Sequence, residues 1–210
     1  MDKLITKHHS LIDWDYRVGA YFEIAATHYV SPPTSIRTQD TGVGGKMEAI
    51  YLKEALAACV PDGQIINYFL MTDLPGGGLG VLYRVQDIVY ITYPQDCYNV
   101  HVRAPDCRLR KFVGGAVTTI RTYNFVPALS ALHWYRFRYT FYQIIAADFS
   151  RYLKHLIDWE VDGEWVNLID YDDPLNLWAD SEINRLGLNL LAQDDPRYNH
   201  ADDTQIWERA

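Results

Sequence analysis

Residues Ala128 to Ile157 read ALSALHWYRFRYTFYQIIAADFSRYLKHLI, and this stretch decides the predicted fold. Its large apolar side chains recur at the three- and four-residue spacing of one helix face. They are Phe137, Phe141, Ile144, Ile145, Phe149, Tyr152, Leu153 and Leu156. Pro127 stands where proline commonly opens a helix. The stretch predicts a helix about 45 Å long, and part of so long a helix is expected to pack on another element or another subunit.

A series of strand-like segments precedes this predicted helix. These segments are rich in Val, Ile and Tyr, which favour strands, and short turns separate them. The segments are residues 64–72, 80–85, 87–93, 97–103, 108–113 and 116–123. Because such short connections join antiparallel neighbours, the pattern predicts an antiparallel sheet of about five or six strands.

Two more helices are predicted outside this region. Residues 46–60 are amphipathic at helical spacing. Residues 174–192 predict a C-terminal helix, because Asp173 is a capping residue and Pro174 follows it at the first helical position. Residues 16–30 fit helical spacing and strand alternation equally well, so both alternatives stay open for that segment.

The residues from Trp159 to Val166 predict a β-hairpin, because an Asp-Gly pair lies between two apolar segments. Together the elements predict an α+β fold, with an antiparallel sheet, a long aromatic-rich helix, and a C-terminal β-hairpin followed by a helix. We expect a single domain over residues 1–210. It has an extended N-terminal arm, residues 1–15, and an acidic C-terminal tail, residues 193–210.

The formal net charge of the 210 residues is −8, and it is unevenly distributed. Residues 1–157 sum to +3 and residues 158–210 sum to −11. Such polarity suits head-to-tail contact between copies of the chain. No apolar run approaches the roughly 18 residues of a membrane helix, and the first residues lack the apolar segment of a signal peptide. The expected location is therefore the cytoplasm or a virion, with no membrane contact.

The sequence contains no motif for a metal or a cofactor. The three cysteines are an odd number at unrelated spacings, which indicates free thiols. No HExxH or CxxC pattern for zinc occurs. The glycines at residues 42–45 and 76–80 lack the neighbouring residues that a phosphate-binding or dinucleotide-binding loop requires. We therefore expect neither a metal nor a cofactor.

Four aspartates are the candidate catalytic residues if the protein is an enzyme. They come from a pentapeptide of the form Leu-Ile-Asp-aromatic-acid, which occurs at residues 11–15, 156–160 and 168–172. Paired carboxylates beside aromatic rings are the groups that glycoside hydrolysis uses. The alternative is that these acids cap secondary structure or face solvent. The candidates are Asp13, Asp15, Asp170 and Asp172.

The candidate interaction residues are basic side chains on predicted strands and two apolar residues near the C-terminal end. They are Arg103, Arg108, Arg110, Lys111, Arg121, Ile206 and Trp207. The basic residues suit an acidic protein surface, such as the C-terminal region of another copy. Single-stranded nucleic acid is the alternative ligand, but the net charge of −8 disfavours it.

The leading functional hypothesis is a noncatalytic structural subunit of a homo-oligomeric or multi-protein assembly. A tailed-phage virion component, such as a connector, tail or baseplate protein, is one example. Its expected partners are other copies of itself or other assembly proteins. A glycosidase-like soluble hydrolase that uses the carboxylate–aromatic cluster is the second hypothesis, and a nucleic-acid-binding protein that uses the basic strands is the third.

Overall fold

The computed structural model shows β-strands joined by turns and loops. It describes residues 3–8, 14–15, 22–25, 30, 35–38, 46–54, 59–72, 78–88, 94–192 and 199–209. Within these ranges there are fifteen strands and no helix, and so no helix long and apolar enough to cross a membrane. The strands are β1 (Lys3–His8), β2 (Trp14–Asp15), β3 (Phe22–Ala25), β4 (Ser35–Thr38), β5 (Lys46–Leu52), β6 (Gly63–Met71), β7 (Gly78–Val85), β8 (Cys97–Arg103), β9 (Asp106–Val113), β10 (Ala116–Asn124), β11 (Tyr135–Ile145), β12 (Arg151–Val161), β13 (Glu164–Asp173), β14 (Arg185–Ala192) and β15 (Asn199–Glu208).

The strands form two antiparallel sheets that face each other across one hydrophobic core. Sheet A has the order β13-β12-β11-β6-β15-β4-β3, and β1 also pairs with β15. Sheet B has the order β10-β9-β8-β7-β14-β5-β2. The core contains Phe69 and Phe137 from sheet A and Val81, Val100 and Leu188 from sheet B. The predicted α+β class is therefore wrong, and the described part of the chain is an all-β sandwich.

The long helix predicted over residues 128–157 is instead the β11–β12 hairpin. The two strands are antiparallel, with Phe137 opposite Trp159. A spacing of four residues fits both one helical turn and two strand repeats, so Phe137 and Phe141 satisfy both patterns. Alternate residues of β11 are buried from Tyr135 onward. This alternation explains why aromatic side chains spread beyond a single helical stripe in the sequence.

The helix predicted over residues 46–60 is also wrong, since its first half is β5. Neighbouring residues of β5 point to opposite faces of sheet B, and both faces are buried. Ile50 packs in the core between the sheets, whereas Tyr51 belongs to a second apolar cluster on the other face. A strand buried on both faces does not show alternation, and the period of two is therefore hidden in the sequence.

The predicted C-terminal helix over residues 174–192 is absent as well. Asp173 Oδ1 does accept a hydrogen bond of 3.1 Å from the backbone N–H of Leu175, as a cap would. The φ angles of Asn176 and Trp178 are 41° and 58°, which a right-handed helix does not permit. The chain therefore turns here and continues into β14.

The strands predicted before the long stretch agree with the structure. Five of the predicted segments overlap β6 to β10, and the segment 97–103 coincides with β8. The exception is residues 87–93, because Asp87 and Ile88 lie outside any strand and residues 89–93 fall outside the described ranges. Strand alternation is visible in this region because turns with strong signals separate the segments.

Both terminal segments contribute strands to the sheets. β1 and β2 lie in the predicted N-terminal arm, and β15 lies in the predicted acidic tail. β15 pairs with β6 on one side and with β1 and β4 on the other. Ile206 is 1% exposed in the core, and the adjacent Trp207 is half-buried, opposite Leu4. Within residues 16–30, Phe22–Ala25 form β3.

The predicted hairpin from Trp159 to Val166 is confirmed as the turn between β12 and β13. Val161 pairs with Glu164, and the two turn residues between them have positive φ angles. These angles are 51° for Asp162 and 85° for Gly163. Both values suit the two-residue turn that an Asp-Gly pair favours.

We expect Gly163→Ala to lower the free energy of unfolding by about 1 kcal/mol, because a side chain disfavours a positive φ. A Cβ at this position would meet no atom within 4 Å, so backbone strain is the whole effect. Urea unfolding at pH 7 measures it. Gly163→Asn is the control, since Asn tolerates this conformation. Equal losses for the two variants would contradict the explanation.

Arg84, near the end of β7, connects the two sheets and is fully buried. Its Nε donates to the Pro61 carbonyl at 3.0 Å, and its Nη2 donates to Asp62 Oδ1 at 3.3 Å, both just before β6 of sheet A. Its Nη1 donates to Asn176 Oδ1 at 2.8 Å and to the Leu177 carbonyl at 3.0 Å. One guanidinium thus satisfies four acceptors on two separate segments.

Candidate functional site

The outer face of sheet A presents aromatic and charged side chains in rows across the strands. Backbone register places Tyr68 of β6 beside Arg136 of β11, and Glu160 of β12 beside Trp165 of β13. An ion pair of 2.8 Å between Arg136 Nη1 and Glu160 Oε2 joins the two halves of this row. Four strands that are neighbours in sheet A, β6, β11, β12 and β13, therefore supply one continuous row of planar groups.

Aromatic rings hold the guanidinium groups of this face in place. The Cζ atom of Arg136 is 5.3 Å from the ring centroids of both Tyr68 and Trp165, within the range of a cation–π contact. In the adjacent row, Arg138 lies 4.6 Å from the Trp165 centroid and donates from Nε to Asp158 Oδ2 at 2.9 Å. Both arginines are therefore positioned before any ligand arrives.

A groove lies at the end of this row where the β12–β13 turn meets the start of β11. Its volume is about 240 Å³. The side chains of Arg136 and Glu160 are 26% and 24% exposed, so solutes can reach both. The lining residues are Tyr68, Trp134, Arg136, Glu160, Asp162 and Gly163.

Tyr68 stays protonated in the groove at neutral pH. Burial raises the pKa of its hydroxyl, the carboxylates of Glu160 and Asp203 raise it further, and the charge of Arg136 opposes them. The groove thus combines two aromatic side chains with an uncharged hydroxyl, one guanidinium and two carboxylates. This set offers apolar surface together with hydrogen-bond donors and acceptors.

A second polar cluster lies on the outer face of sheet B, the face away from the shared core. Register aligns Gly80, His101 and Arg108 across β7, β8 and β9. A Cβ on Gly80 would lie 1.9 Å from Asn189 Oδ1, and one on Gly78 would lie 2.5 Å from His101 Nε2. The two glycines therefore let neighbouring polar side chains lie across the backbone of β7.

Three of the five predicted basic interaction residues meet in this second cluster. Arg103, Arg108 and Arg110 follow one another on the same face of β8 and β9. Asp106 accepts from Arg103 Nε at 3.1 Å and from Arg108 Nη2 at 2.8 Å. Because Asp106 accepts these bonds, its pKa is lowered although burial opposes the change.

The other two predicted basic residues lie elsewhere. Lys111 is on the core side of sheet B, with its Nζ 3.9 Å from Asp173 Oδ2. Arg121 of β10 lies over the ring of Tyr171 in β13, 4.2 Å from the centroid. The predicted basic surface is therefore divided among three places, and the strand alternation separates Lys111 from its neighbours.

The structure places two of the four candidate aspartates together, on one strand. Asp170 and Asp172 lie on β13 of sheet A, where both form ion pairs with Lys154, the second at 3.0 Å. Asp15 lies in β2 of sheet B, and Asp13 falls outside the described residues. The repeated pentapeptides therefore contribute to separate places in the fold.

Local sequence patterns do not identify the groove residues as a site, because these residues are far apart in the sequence. Tyr68, Trp134 and Glu160 come from three strands or their ends, and only the antiparallel register brings them together. One signal was available in the decisive stretch, where Arg136 and Arg138 alternate with aromatic residues. Such alternation predicts a strand with a charged outer face. A second cavity, of about 280 Å³, has no aromatic residue among its described lining residues.

The sequence matches no family model and no curated protein, but solved structures share its fold. The VIP36 exoplasmic/lumenal domain bound to Ca²⁺ and Man3GlcNAc is 13% identical, with a TM-score of 0.61 over 99% of this chain and 88% of that one. A legume lectin-like domain from Entamoeba histolytica is 11% identical, with a TM-score of 0.62 over 98% of both chains. The carbohydrate-binding module CBM66 from Bacillus subtilis is 14% identical, with a TM-score of 0.52 over 97% and 92%. At these identities the similarity shows the fold.

These findings contradict the hypothesis of a structural subunit of an assembly or a phage virion component. That hypothesis rested on the charge polarity, on the terminal arms and on a long aromatic helix, and the residues of this predicted helix form the β11–β12 hairpin. The similar structures named above are lectin-like or carbohydrate-binding domains. The lead prediction from sequence is therefore wrong, and the aromatic residues of the stretch serve a sheet.

Proposed function

We propose that this protein binds carbohydrate in the groove on the outer face of sheet A. The observation that carries the proposal is the joint lining by Tyr68 and Trp134 beside the Arg136–Glu160 ion pair. Carbohydrate sites need flat apolar surface for the C–H face of a sugar ring and polar groups for its hydroxyls. The groove supplies both within about 240 Å³.

The aromatic walls provide the apolar part of such a site. Trp and Tyr combine a large rigid surface with a polar atom, so they contribute binding energy at low entropic cost. Trp134 is half-buried, and its ring lies 6.2 Å from that of His200 at a nearly perpendicular angle. Tyr68 is fixed by the cation–π contact with Arg136. Both rings are therefore positioned by neighbours in sheet A.

The charged groups provide the directional part. Arg136 is a planar donor and Glu160 a planar acceptor, and charge-assisted hydrogen bonds of this kind are stronger than neutral ones. Asp162, exposed on the turn, adds a second acceptor at the rim. Adjacent hydroxyls of one sugar can thus donate to a carboxylate and accept from the guanidinium at the same time. This geometry favours uncharged sugars with vicinal hydroxyl groups.

The fold adds independent support, because lectin-like domains and a carbohydrate-binding module share it. The VIP36 structure also holds Ca²⁺. In the described ranges of the present chain, no group of three or more His, Cys, Asp or Glu side chains is placed to hold such an ion. The proposal rests on the side chains of the groove.

Trp134→Ala is expected to weaken saccharide binding about tenfold, the equivalent of about 1.4 kcal/mol, because it removes one aromatic wall. A panel of neutral oligosaccharides identifies a ligand, and isothermal titration calorimetry then measures its Kd. Tyr142→Ala is the matched control. Tyr142 faces outward from β11, about 26 Å from Trp134 at about 3.3 Å per residue, and contacts Arg209.

The proposal is overturned if Trp134→Ala keeps the wild-type Kd, or if no saccharide in a broad panel binds to the folded protein. An equal loss of affinity in Tyr142→Ala would also count against it, since that residue lies outside the groove. Circular dichroism of each variant separates a binding defect from unfolding.

A further inference from the structure

The second polar cluster, on the outer face of sheet B, contains an unusual histidine. His101 is only 4% exposed, yet neither of its ring nitrogens has a hydrogen-bond partner in the described part of the chain. A buried polar atom without a partner lowers stability, so native proteins rarely retain one without a reason. His101 carries two such atoms in one ring.

Several charged side chains lie close to His101. The guanidinium groups of Arg103, Arg108 and Arg110 lie near the ring. The carboxylate of Asp106 also acts on it. Burial lowers the pKa of His101 to about 3, and the arginine charges contribute in the same direction, so the ring is neutral at pH 7. Among the described residues, Arg103 and Arg108 share a single carboxylate, that of Asp106.

The arginines of this cluster are accessible and already oriented. The side chains of Arg103 and Arg108 are 31% and 32% exposed. Their shared contact with Asp106 positions both guanidinium groups. The Nε of Arg108 is buried and has no partner among the described residues. Arginine side chains that are already held in position can donate hydrogen bonds to a planar or tetrahedral oxyanion.

We propose that Arg103, Arg108 and His101 form a binding site for an anionic group, either a carboxylate or a sulfate. The anion accepts hydrogen bonds from the two guanidinium groups, and the N–H of the neutral His101 ring donates to it from below. The site lies on sheet B, whereas the carbohydrate groove lies on sheet A, so the two sites are separate. An acidic sugar and a free inorganic anion both present this chemistry.

Sodium sulfate is the probe for the site, titrated into the full chain against sodium chloride at equal ionic strength. We expect sulfate to raise Tm and to shift the ring resonances of His101 in the NMR spectrum, with chloride producing neither effect. Arg108→Gln is expected to weaken sulfate binding at least tenfold. Arg151→Gln is the matched control, because Arg151 is a half-exposed arginine paired with Asp180 at 3.0 Å.

His101→Leu gives a second measurement that a purely structural role does not explain. The substitution keeps a similar volume and removes both unpartnered nitrogens, so stability without sulfate is expected to stay the same or rise. Sulfate affinity is expected to fall at least tenfold. A variant with unchanged stability and reduced sulfate affinity supports the site, and one with unchanged affinity overturns the role of His101.

A uronate-containing oligosaccharide and its methyl ester identify the source of the anion. Stronger binding of the free acid, lost in Arg108→Gln, assigns the site to acidic glycans; binding of sulfate alone assigns it to free anions. The site is ruled out if sulfate acts no differently from chloride, or if Arg151→Gln loses as much affinity as Arg108→Gln. Trp134→Ala must leave sulfate binding intact, so failure of the groove and failure of this site are distinguishable.

Discussion

Lowering the pH from 7 to 4.5 is expected to reduce the free energy of unfolding by about 5 kcal/mol. Two buried histidines cause this loss. Burial, together with nearby arginine and lysine charges, lowers the pKa of both His101 and His155 to about 3. In the unfolded chain a histidine has a pKa of about 6.5. Both residues are therefore neutral when folded and protonated when unfolded throughout most of this pH range.

The direction follows from proton linkage. The stabilisation is complete above pH 6.5 and is lost as the pH falls, because the unfolded state takes up protons that the folded state cannot. Each histidine contributes a slope of up to about 1.4 kcal/mol per pH unit, so the two together give a slope of up to about 2.7 kcal/mol per pH unit between pH 6 and 4. Asp106 has a lowered pKa, so its carboxylate affects stability mainly below pH 4.

Urea unfolding at pH 7, 5.5 and 4.5 measures this dependence. About half of the loss is expected by pH 5.5. His101→Leu is expected to halve the slope, because one of the two histidines is removed. His155 is the other contributor, and its Nδ1 forms a hydrogen bond of 2.7 Å with the Tyr83 hydroxyl. A slope below one proton per molecule between pH 6 and 4.5 would show that these rings titrate normally in the folded state.

Arg84→Met is expected to lower the free energy of unfolding by about 3 kcal/mol, because three neutral acceptors lose hydrogen bonds that each contribute about 1 kcal/mol. The substitution keeps most of the side-chain volume but removes all four hydrogen bonds. The carbonyls of Pro61 and Leu177 and the amide oxygen of Asn176 then lose their donors. The substitution therefore weakens the contact between β7 of sheet B and the residues that precede β6 of sheet A.

Chemical denaturation at pH 7 tests this expectation, with Arg151→Met as the control. Arg151 and Asp180 are 50% and 86% exposed, and surface pairs of this kind contribute about 0–1 kcal/mol. Arg84→Lys is expected to fall between wild type and Arg84→Met, because a single ammonium cannot reach four acceptors in the fork geometry of arginine. A loss below 1 kcal/mol in Arg84→Met would refute the role assigned to this network.

Local sequence patterns predict elements that have one buried face and a strong turn. β8 alternates apolar and polar residues, so its bounds follow from the sequence, and the Asp-Gly pair identifies the β12–β13 turn. The same approach fails for β11, because Phe137 and Phe141 fit both periods, and for β5, because both of its faces are buried. When β5 and β11 are taken for helices, the second sheet of the sandwich is not recognised. The prediction is then one sheet packed against helices, which is an α+β fold.

The groove itself is not encoded in any local pattern. Tyr68, Trp134 and Glu160 meet only because β6, β11 and β12 pair in a particular antiparallel register. The basic cluster is partly visible, since alternation along β8 and β9 places Arg103, Arg108 and Arg110 on one face. What the sequence does not reveal is the buried His101 among them, because its burial depends on the whole sandwich.

The position of β15 determines when sheet A is completed during synthesis on the ribosome. β6 ends at Met71, and its partner strand begins more than a hundred residues later, at Asn199. Until β15 emerges, β6 has β11 on one side and an unpaired edge on the other, a surface that other chains can join. Nascent chains that carry every strand up to β14 therefore depend on protection of that edge, and the final strand closes it.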